Sequence, residues 1–302
     1  MAPPINSKLF REYLMLIESA FSMLPESVAG YGFQRVRREA NAVGSFSFSL
    51  LNALHAKNIL DPIQRIQLEN SYGTKTVPLP VGGNNRSCDI FLDYGGSKLG
   101  TARLANYGWR YRNFVEGKFF KSYRQTTSGQ DSRASTNSAE TVADLIRLIS
   151  LVPEPQAQLN QPQAKTSSAR YFLCLSDYPP AIFINKYLTD LHSTFDSPKK
   201  SASIALDLTT GKASNAFANS VGVGFNCLNI NVSHATCFSH YPLDPTAPDS
   251  IWMLLIRIDS ASITMTTGGV VQSFSLELDR SITQSNPGAY STIRNFVATN
   301  IK

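Results

Sequence analysis

Residues 113–121, N-F-V-E-G-K-F-F-K, place an acid and a base at a spacing suited to chemistry on a β-strand. Glu116 and Lys118 are two residues apart, and side chains alternate along a strand, so both are expected on one face. A carboxylate offers hard oxygen ligands to a divalent cation, and an ammonium can hold water or stabilise developing negative charge. The pair favours metal-assisted hydrolysis, although a glutamate and a lysine at this spacing also occur on many solvated strands.

A second carboxylate opens the preceding strand. In C-D-I-F-L-D-Y, residues 88–94, Asp89 precedes an apolar run whose Ile90 and Leu92 are expected on the opposite face. Asp93 shares the face of Asp89 and is the alternative candidate. Two carboxylates on neighbouring strands suit Mg²⁺, which can stabilise charge on a phosphodiester as water attacks it.

Elements that could position these residues follow from periodicity. Apolar spacing predicts a helix over 7–24 that Pro25 ends, and a second over 34–57, although Phe46 and Phe48 alternate as in a strand. Strands are predicted over 63–69, 86–94 and 113–121. A polar loop then leads to a helix over 139–151.

The rest of the chain is predicted to be mostly β. A Gln- and Pro-rich linker over 154–168 precedes a strand over 171–175 and a helix over 182–191, and a hairpin over 251–278 turns at 266–269. The expected fold is α/β (α+β), a central mixed sheet flanked by helices. Residues 1–202 would form the core, and 203–302 a β-rich region that is separate or part of the same domain.

Charge is uneven along the chain. The formal net charge is +6, and residues 1–202 hold 23 Lys or Arg against 16 Asp or Glu, whereas 203–302 is near neutral. Between residues 98 and 124 the single acid is Glu116. The basic excess suits a polyanion such as DNA, with phosphate contacts expected from Arg103, Arg110, Arg112, Lys121 and Arg124. The interleaved aromatics Tyr107, Trp109, Tyr111, Phe119, Phe120 and Tyr123 are expected to contact sugars and bases, or else to be core.

The order helix, strand, Asp strand, Glu-x-Lys strand, helix, strand resembles the PD-(D/E)XK nuclease superfamily, which includes type II restriction endonucleases. The resemblance spans about residues 34–176 and rests on Asp89 followed 27 residues later by Glu116-Gly117-Lys118. Cys88 stands where the name-giving proline would be. The resemblance implies a restriction-endonuclease-like core, metal ligation by Asp89 and Glu116, and a catalytic role for Lys118.

Family members sometimes add a glutamate from the first core helix, a role open to Glu39, with Glu69 as a rival; both are more often surface or capping residues. The expected activity is Mg²⁺-dependent cleavage of specific double-stranded DNA by a homodimer, as in restriction-modification. The alternatives are a non-cleaving nucleic-acid-binding module and a repair or junction-resolving nuclease.

Other classes find little support. There is no long apolar span, no signal-peptide pattern and no C-x-x-C pair, so a cytoplasmic protein with reduced cysteines and no membrane partner is expected. His234, Cys237 and His240, with Cys227 upstream, could in principle bind zinc. A spacing of three does not place ligands on one face of a strand, so this site is not favoured.

Overall fold

The computed structural model describes residues 16–30, 38–58, 61–71, 87–93, 112–126, 129–150, 168–180, 182–183, 200–206, 227–241, 250–267 and 270–277. The helices and strands within these ranges are, in chain order, α1 (Leu16–Gly30), α2 (Glu39–Ala56), α3 (Pro62–Arg65), β1 (Ile66–Ser71), β2 (Ser87–Asp93), β3 (Arg112–Phe120), β4 (Tyr123–Thr126), β5 (Gly129–Ser132), α4 (Ala134–Ser150), β6 (Ser168–Ser176), β7 (Lys200–Leu206), β8 (Cys227–Tyr241), β9 (Ile251–Thr267) and β10 (Val270–Glu277).

Eight strands form one mixed sheet. Its order is β1-β2-β3-β6-β9-β8-β7, with β10 also paired to β9, while β4 and β5 form a separate hairpin. Strands β3 and β6 are parallel, and the other neighbours in the large sheet are antiparallel. A parallel pair needs a crossover connection, and α4 lies in the connection between them. The predicted mixed α/β class, with helices and a β-rich C-terminal part, is confirmed.

Helices α1 and α2 cover one face of the central strands. Apolar residues recur at helical spacing in α1 (Ile17, Phe21, Leu24 and Val28), and the buried residues of α2 include Phe46, Leu50 and Leu54. They pack on alternate residues of the strands, among them Ile90, Leu92, Val115, Leu173, Leu175, Met253 and Leu255. Packing against this sheet face stabilises both helices.

Helix α4 lies near the opposite face of β3 and β6. Strand β6 is buried on both faces, since Leu173 belongs to the α1–α2 core and its neighbours Phe172 and Cys174 are also buried. Residue Asp144 of α4 acts electrostatically on Lys118 and Cys174, which point away from that core. Around β3 and β6 the fold therefore has helix, sheet and helix layers.

Pro25 does not end the first helix, contrary to the prediction. It lies inside α1, which continues to Gly30. Proline removes one backbone hydrogen bond and costs roughly 3 kcal/mol in a helix interior. Leu24 before it and Val28 after it are both fully buried, and their packing holds the helix on either side of the proline. The predicted start of this helix, 7–15, lies outside the described residues.

The helix predicted over 34–57 is confirmed as α2, and Phe46 and Phe48 are helical within it. Two other boundaries are corrected. The strand predicted over 63–69 begins only at Ile66, because Pro62 at the first helical position starts the one-turn helix α3. The helix predicted from residue 139 begins at Ala134, and the polar loop before it contains the β4–β5 hairpin. Most of the predicted helix over 182–191 and most of the linker over 154–168 lie outside the described residues.

The C-terminal strands continue the sheet of the first half. Strand β9 pairs with β6 from Arg170 opposite Ile258 to Ser176 opposite Trp252. The predicted hairpin is confirmed as the antiparallel pair β9–β10. The Arg257 guanidinium of β9 donates to the Glu18 carboxylate of the overlying helix α1 at 2.8 Å. No described helix combines the length and apolar character that crossing a membrane requires.

Candidate active site

Strand β3 contains both residues of the Glu-x-Lys pattern. Val115 lies in the α1–α2 core, and a Cβ added to Gly117 would meet Val43 of α2. Alternation therefore places Glu116 and Lys118 together on the other face. Glu116 is 5% exposed, and the side chain of Lys118 is 17% exposed. The predicted shared face is confirmed.

Asp89 reaches β3 through its side chain. The backbone pairing of β2 with β3 covers Ile90 to Asp93 opposite Val115 to Arg112. Beyond Val115 the Gly117 N–H donates instead to Asp89 Oδ2, at 2.6 Å. The carboxylate thus satisfies a backbone donor at the point where the ladder ends. This contact brings Asp89 beside the Glu116–Lys118 segment.

The other neighbour of Asp89 is irregular as well. Strand β1 pairs Leu68 with Ile90 and Asn70 with Cys88, but the intervening Glu69 has a φ of 51° and drops out of the ladder. A left-handed backbone at a non-glycine residue costs of order 1–2 kcal/mol, and such strain clusters at functional sites. Glu69 accepts a hydrogen bond from Ser87 Oγ at 3.0 Å.

The Asp89 carboxylate holds its proton unusually strongly. Burial raises its pKa to about 6, and the nearby Glu39 and Glu69 carboxylates act in the same direction. The Gly117 hydrogen bond and the Lys118 ammonium oppose this shift without cancelling it. A bound cation would favour the ionised form, so this environment is suited to a metal ligand.

Lys118 is held between two helices. Its Nζ donates to Glu39 Oε1 at 3.2 Å and Oε2 at 3.1 Å, at the first turn of α2. On the α4 side it lies 3.7 Å from Asp144 Oδ2. Burial by itself would lower the pKa of Lys118, but the Asp144 and Glu39 carboxylates outweigh it and raise the pKa above the usual lysine value. Lys118 is therefore a protonated ammonium in this site.

Sequence reasoning missed Asp144. It is 1% exposed and continues a buried stripe of α4 formed by Asn137, Thr141 and Leu148. An acid at a core position of an amphipathic helix is the signal that could have identified it. One turn earlier, Glu140 pairs with Arg133 at 3.5 Å. Burial raises the pKa of Glu140, and Asp144 contributes to that rise.

Of the other predicted site residues, Glu39 contacts Lys118, as described above. Asp93 is the cross-strand neighbour of Arg112 in the β2–β3 register, four residues from Asp89 along β2. Lys121 is exposed just after β3, and Arg124 lies in β4. Arg103 and Arg110 fall outside the described residues.

Two aromatics of this segment pack in the interior, which was the alternative to their favoured role as contacts to sugars and bases. Phe120 is buried and meets Phe183 edge to face with ring centroids 5.2 Å apart. Phe119 packs against the α1–α2 core. Tyr107, Trp109 and Tyr111 lie outside the described residues.

The described residues offer few side chains that could bind a metal. Among the described residues, no group of three or more His, Cys, Asp or Glu side chains is arranged to hold an ion. Cys227, His234, Cys237 and His240 all lie in β8. Mg²⁺ is commonly held by one or two carboxylates, with water and substrate phosphate completing its shell. Asp89 and Glu116 are compatible with that donor set.

Comparisons with protein-family models, with curated proteins and with solved structures each returned no match to this chain.

Proposed function

We propose that the chain is a magnesium-dependent DNA endonuclease of restriction type, acting through Asp89, Glu116 and Lys118. The observation that carries this proposal is the 2.6 Å hydrogen bond from Gly117 N–H to Asp89. It ties the acid of β2 to the middle of the Glu-x-Lys segment. The element order α2, β1, β2, β3, α4, β6 supports it further, because it is the order on which the resemblance to the PD-(D/E)XK superfamily rests.

The proposed chemistry divides between the side chains. Asp89 and Glu116 would hold Mg²⁺, which supplies charge stabilisation at the scissile phosphate. Lys118 orients the attacking water and stabilises the negative charge that develops on the phosphate. The basic N-terminal two thirds would bind the DNA backbone. A palindromic target requires two such sites related by a two-fold axis, so we propose a homodimer.

The test compares cleavage by the wild-type chain, Glu116→Gln and Lys118→Met. Supercoiled plasmid and a branched duplex are incubated with each protein, with Mg²⁺ and with EDTA. We expect discrete Mg²⁺-dependent plasmid fragments from the wild type, lost in both variants. Glu26→Gln is the matched control because Glu26 is exposed on α1. Cleavage that persists in both variants would overturn the site.

Thermal unfolding with and without MgCl₂ gives an independent readout. Because a ligand that binds only the folded state raises its stability, Mg²⁺ should raise the Tm of the wild type but not that of Glu116→Gln. Sedimentation velocity tests the proposed homodimer.

A second candidate is a nucleic-acid-binding module that does not cut. It is favoured by the basic excess of residues 1–202, with 23 Lys or Arg against 16 Asp or Glu, because binding the DNA backbone needs positive charge and no catalytic metal. This candidate predicts salt-sensitive DNA binding that is the same in Mg²⁺ and in EDTA, with no cleavage of either substrate. Cleavage of the branched duplex alone would instead indicate a junction-resolving nuclease.

A further inference from the structure

The two carboxylates that hold Lys118 lie in different environments. Glu39 is 45% exposed at the start of α2, whereas Asp144 is 1% exposed in α4. An exposed ion pair is screened by water and contributes little to stability. A buried pair is different, because removing either partner leaves an uncompensated charge in the interior. The two contacts of Lys118 are therefore unequal, although the Glu39 contact is the shorter.

Asp144 also has the more rigid support. Thr141 before it and Leu148 after it are buried on the same stripe of α4, and Thr141 Oγ1 donates to the Asn137 carbonyl at 2.8 Å. Asn137 in turn donates to the Lys121 carbonyl at 3.0 Å, just beyond β3. The helix that carries Asp144 is thus hydrogen-bonded to the end of the strand that carries Lys118.

We propose that Asp144 is the positioning residue that fixes the Lys118 ammonium beside Asp89 and Glu116, while the contact with Glu39 is exchangeable. This inference rests on the proposed nuclease function for its catalytic meaning, but not for its geometry. A lysine is a point charge on a flexible four-carbon chain, so it needs a fixed counter-charge to hold one position. Asp144 touches Lys118 and not the reacting atoms.

A test that needs no cleavage follows the side-chain ammonium of Lys118 by NMR, in protein labelled with ¹⁵N-lysine. Its ¹⁵N–¹H signal is visible only when ion pairing and burial slow exchange with water, and Lys118→Arg identifies it by its loss. We expect the signal in the wild type and in Glu39→Gln, and its loss in Asp144→Asn. Loss in Glu39→Gln with retention in Asp144→Asn would overturn the inference.

The matched control is Glu140→Gln, one turn earlier on the same helix. Glu140 pairs with Arg133, so this variant should keep the Lys118 signal. Asp144→Glu restores the charge and should recover the signal at least in part. If Asp144→Asn does not fold, the double variant Lys118→Met with Asp144→Asn removes both charges. It should then be more stable than Asp144→Asn, and equal instability of the two would overturn the inference.

Single-turnover cleavage connects the position of Lys118 to catalysis. We expect Asp144→Asn to lower the rate constant about 10–100-fold, the size typical of groups that orient catalytic residues, with unchanged DNA affinity. A structural role alone would lower the Tm and leave the rate constant of the folded protein unchanged. If the wild type cuts no substrate but the NMR result holds, the proposed function fails and the positioning role stands.

Discussion

The two halves of β3 differ in what borders them. From Arg112 to Val115 the strand pairs with β2 on one edge and β6 on the other, and Phe114 and Val115 are buried. From Glu116 onward the pairing with β6 continues to Phe120, but on the β2 edge the Gly117 N–H donates to a side chain, that of Asp89. The first half is built like a core strand. The second half lacks backbone pairing with β2 and carries the polar side chains of Glu116 and Lys118.

The sheet accommodates charged groups at β3 without losing its strand order. Strand β6 supports β3 along its whole length, so the change at the β2 edge stays local. The cost appears as strain at Glu69, with a φ of 51°, and as the raised pKa of Asp89. Energetic cost at a functional site, offset by a well-packed surrounding, is a common arrangement.

Phe114→Ala should break the first half. Phe114 is buried and its ring centroid lies 5.1 Å from that of Phe91. Truncation of a buried phenylalanine leaves a cavity, so we expect the free energy of unfolding to fall by about 3–5 kcal/mol. Urea unfolding measures it, with Glu26→Gln as a surface control. A loss below about 1 kcal/mol would contradict the stabilising role of this half.

Gly117→Ala should strain the second half. The added Cβ would lie 2.9 Å from Val43 Cγ2 and 3.6 Å from Asp89 Oδ2. Valine is restricted to one rotamer in a helix, so β3 or α2 must shift, at a cost of about 1–3 kcal/mol. Combining Gly117→Ala with Val43→Ala should recover part of the loss. Additive losses in the double variant would show that Val43 is not the obstacle.

Asp89→Asn should reveal the cost of the charge. Burial raises the Asp89 pKa to about 6 in the folded protein, from a value near 4 in the unfolded chain. The folded state therefore binds this proton more tightly, which stabilises it at low pH. That stabilisation is lost as the pH rises from about 4 through 6. The neutral amide avoids that loss and can still accept from Gly117. In EDTA we expect the variant to gain on the wild type by about 1–2 kcal/mol between pH 4 and pH 8. A pH-independent difference would refute this.

Lys121→Ala should have the smallest effect. Lys121 is exposed immediately after β3, and its contact with Asn137 uses the backbone carbonyl, which the substitution retains. We expect stability to change by less than about 0.5 kcal/mol. If the side chain contacts phosphate, the slope of log K against log salt should fall by about 1. An unchanged slope would remove Lys121 from the DNA surface.

Strand periodicity was enough to anticipate the Glu116–Lys118 arrangement. A period of two needs only local sequence. The common face of Glu116 and Lys118, and the position of Asp89 on the face of β2 opposite Ile90 and Leu92, could therefore be predicted. The hydrogen bond between Asp89 and Gly117 could not, because it depends on where the β2–β3 ladder ends. Asp144 lies 26 residues after Lys118 in the chain, and only the crossover through α4 brings them together.

Two incorrect predictions rest on local preference alone, namely that Pro25 ends a helix and that the polar residues around 123–132 form a loop. Tertiary packing overrides local preference where the gain is large, as it is for Leu24 and Val28 on either side of Pro25. In the hairpin, by contrast, β4 and β5 pair through backbone hydrogen bonds. Polar side chains are compatible with such pairing, but they give no sequence pattern from which it could be predicted.

The ion pair between Glu18 and Arg257 has a consequence for biosynthesis. It joins positions 239 residues apart, and translation at ~5–20 residues per second would need roughly 10–50 s to cover that distance. During this interval α1 has been made but β9 has not, so the apolar stripe of the helix lacks part of the surface that later covers it. The nascent chain therefore exposes part of this apolar stripe until β9 has been made.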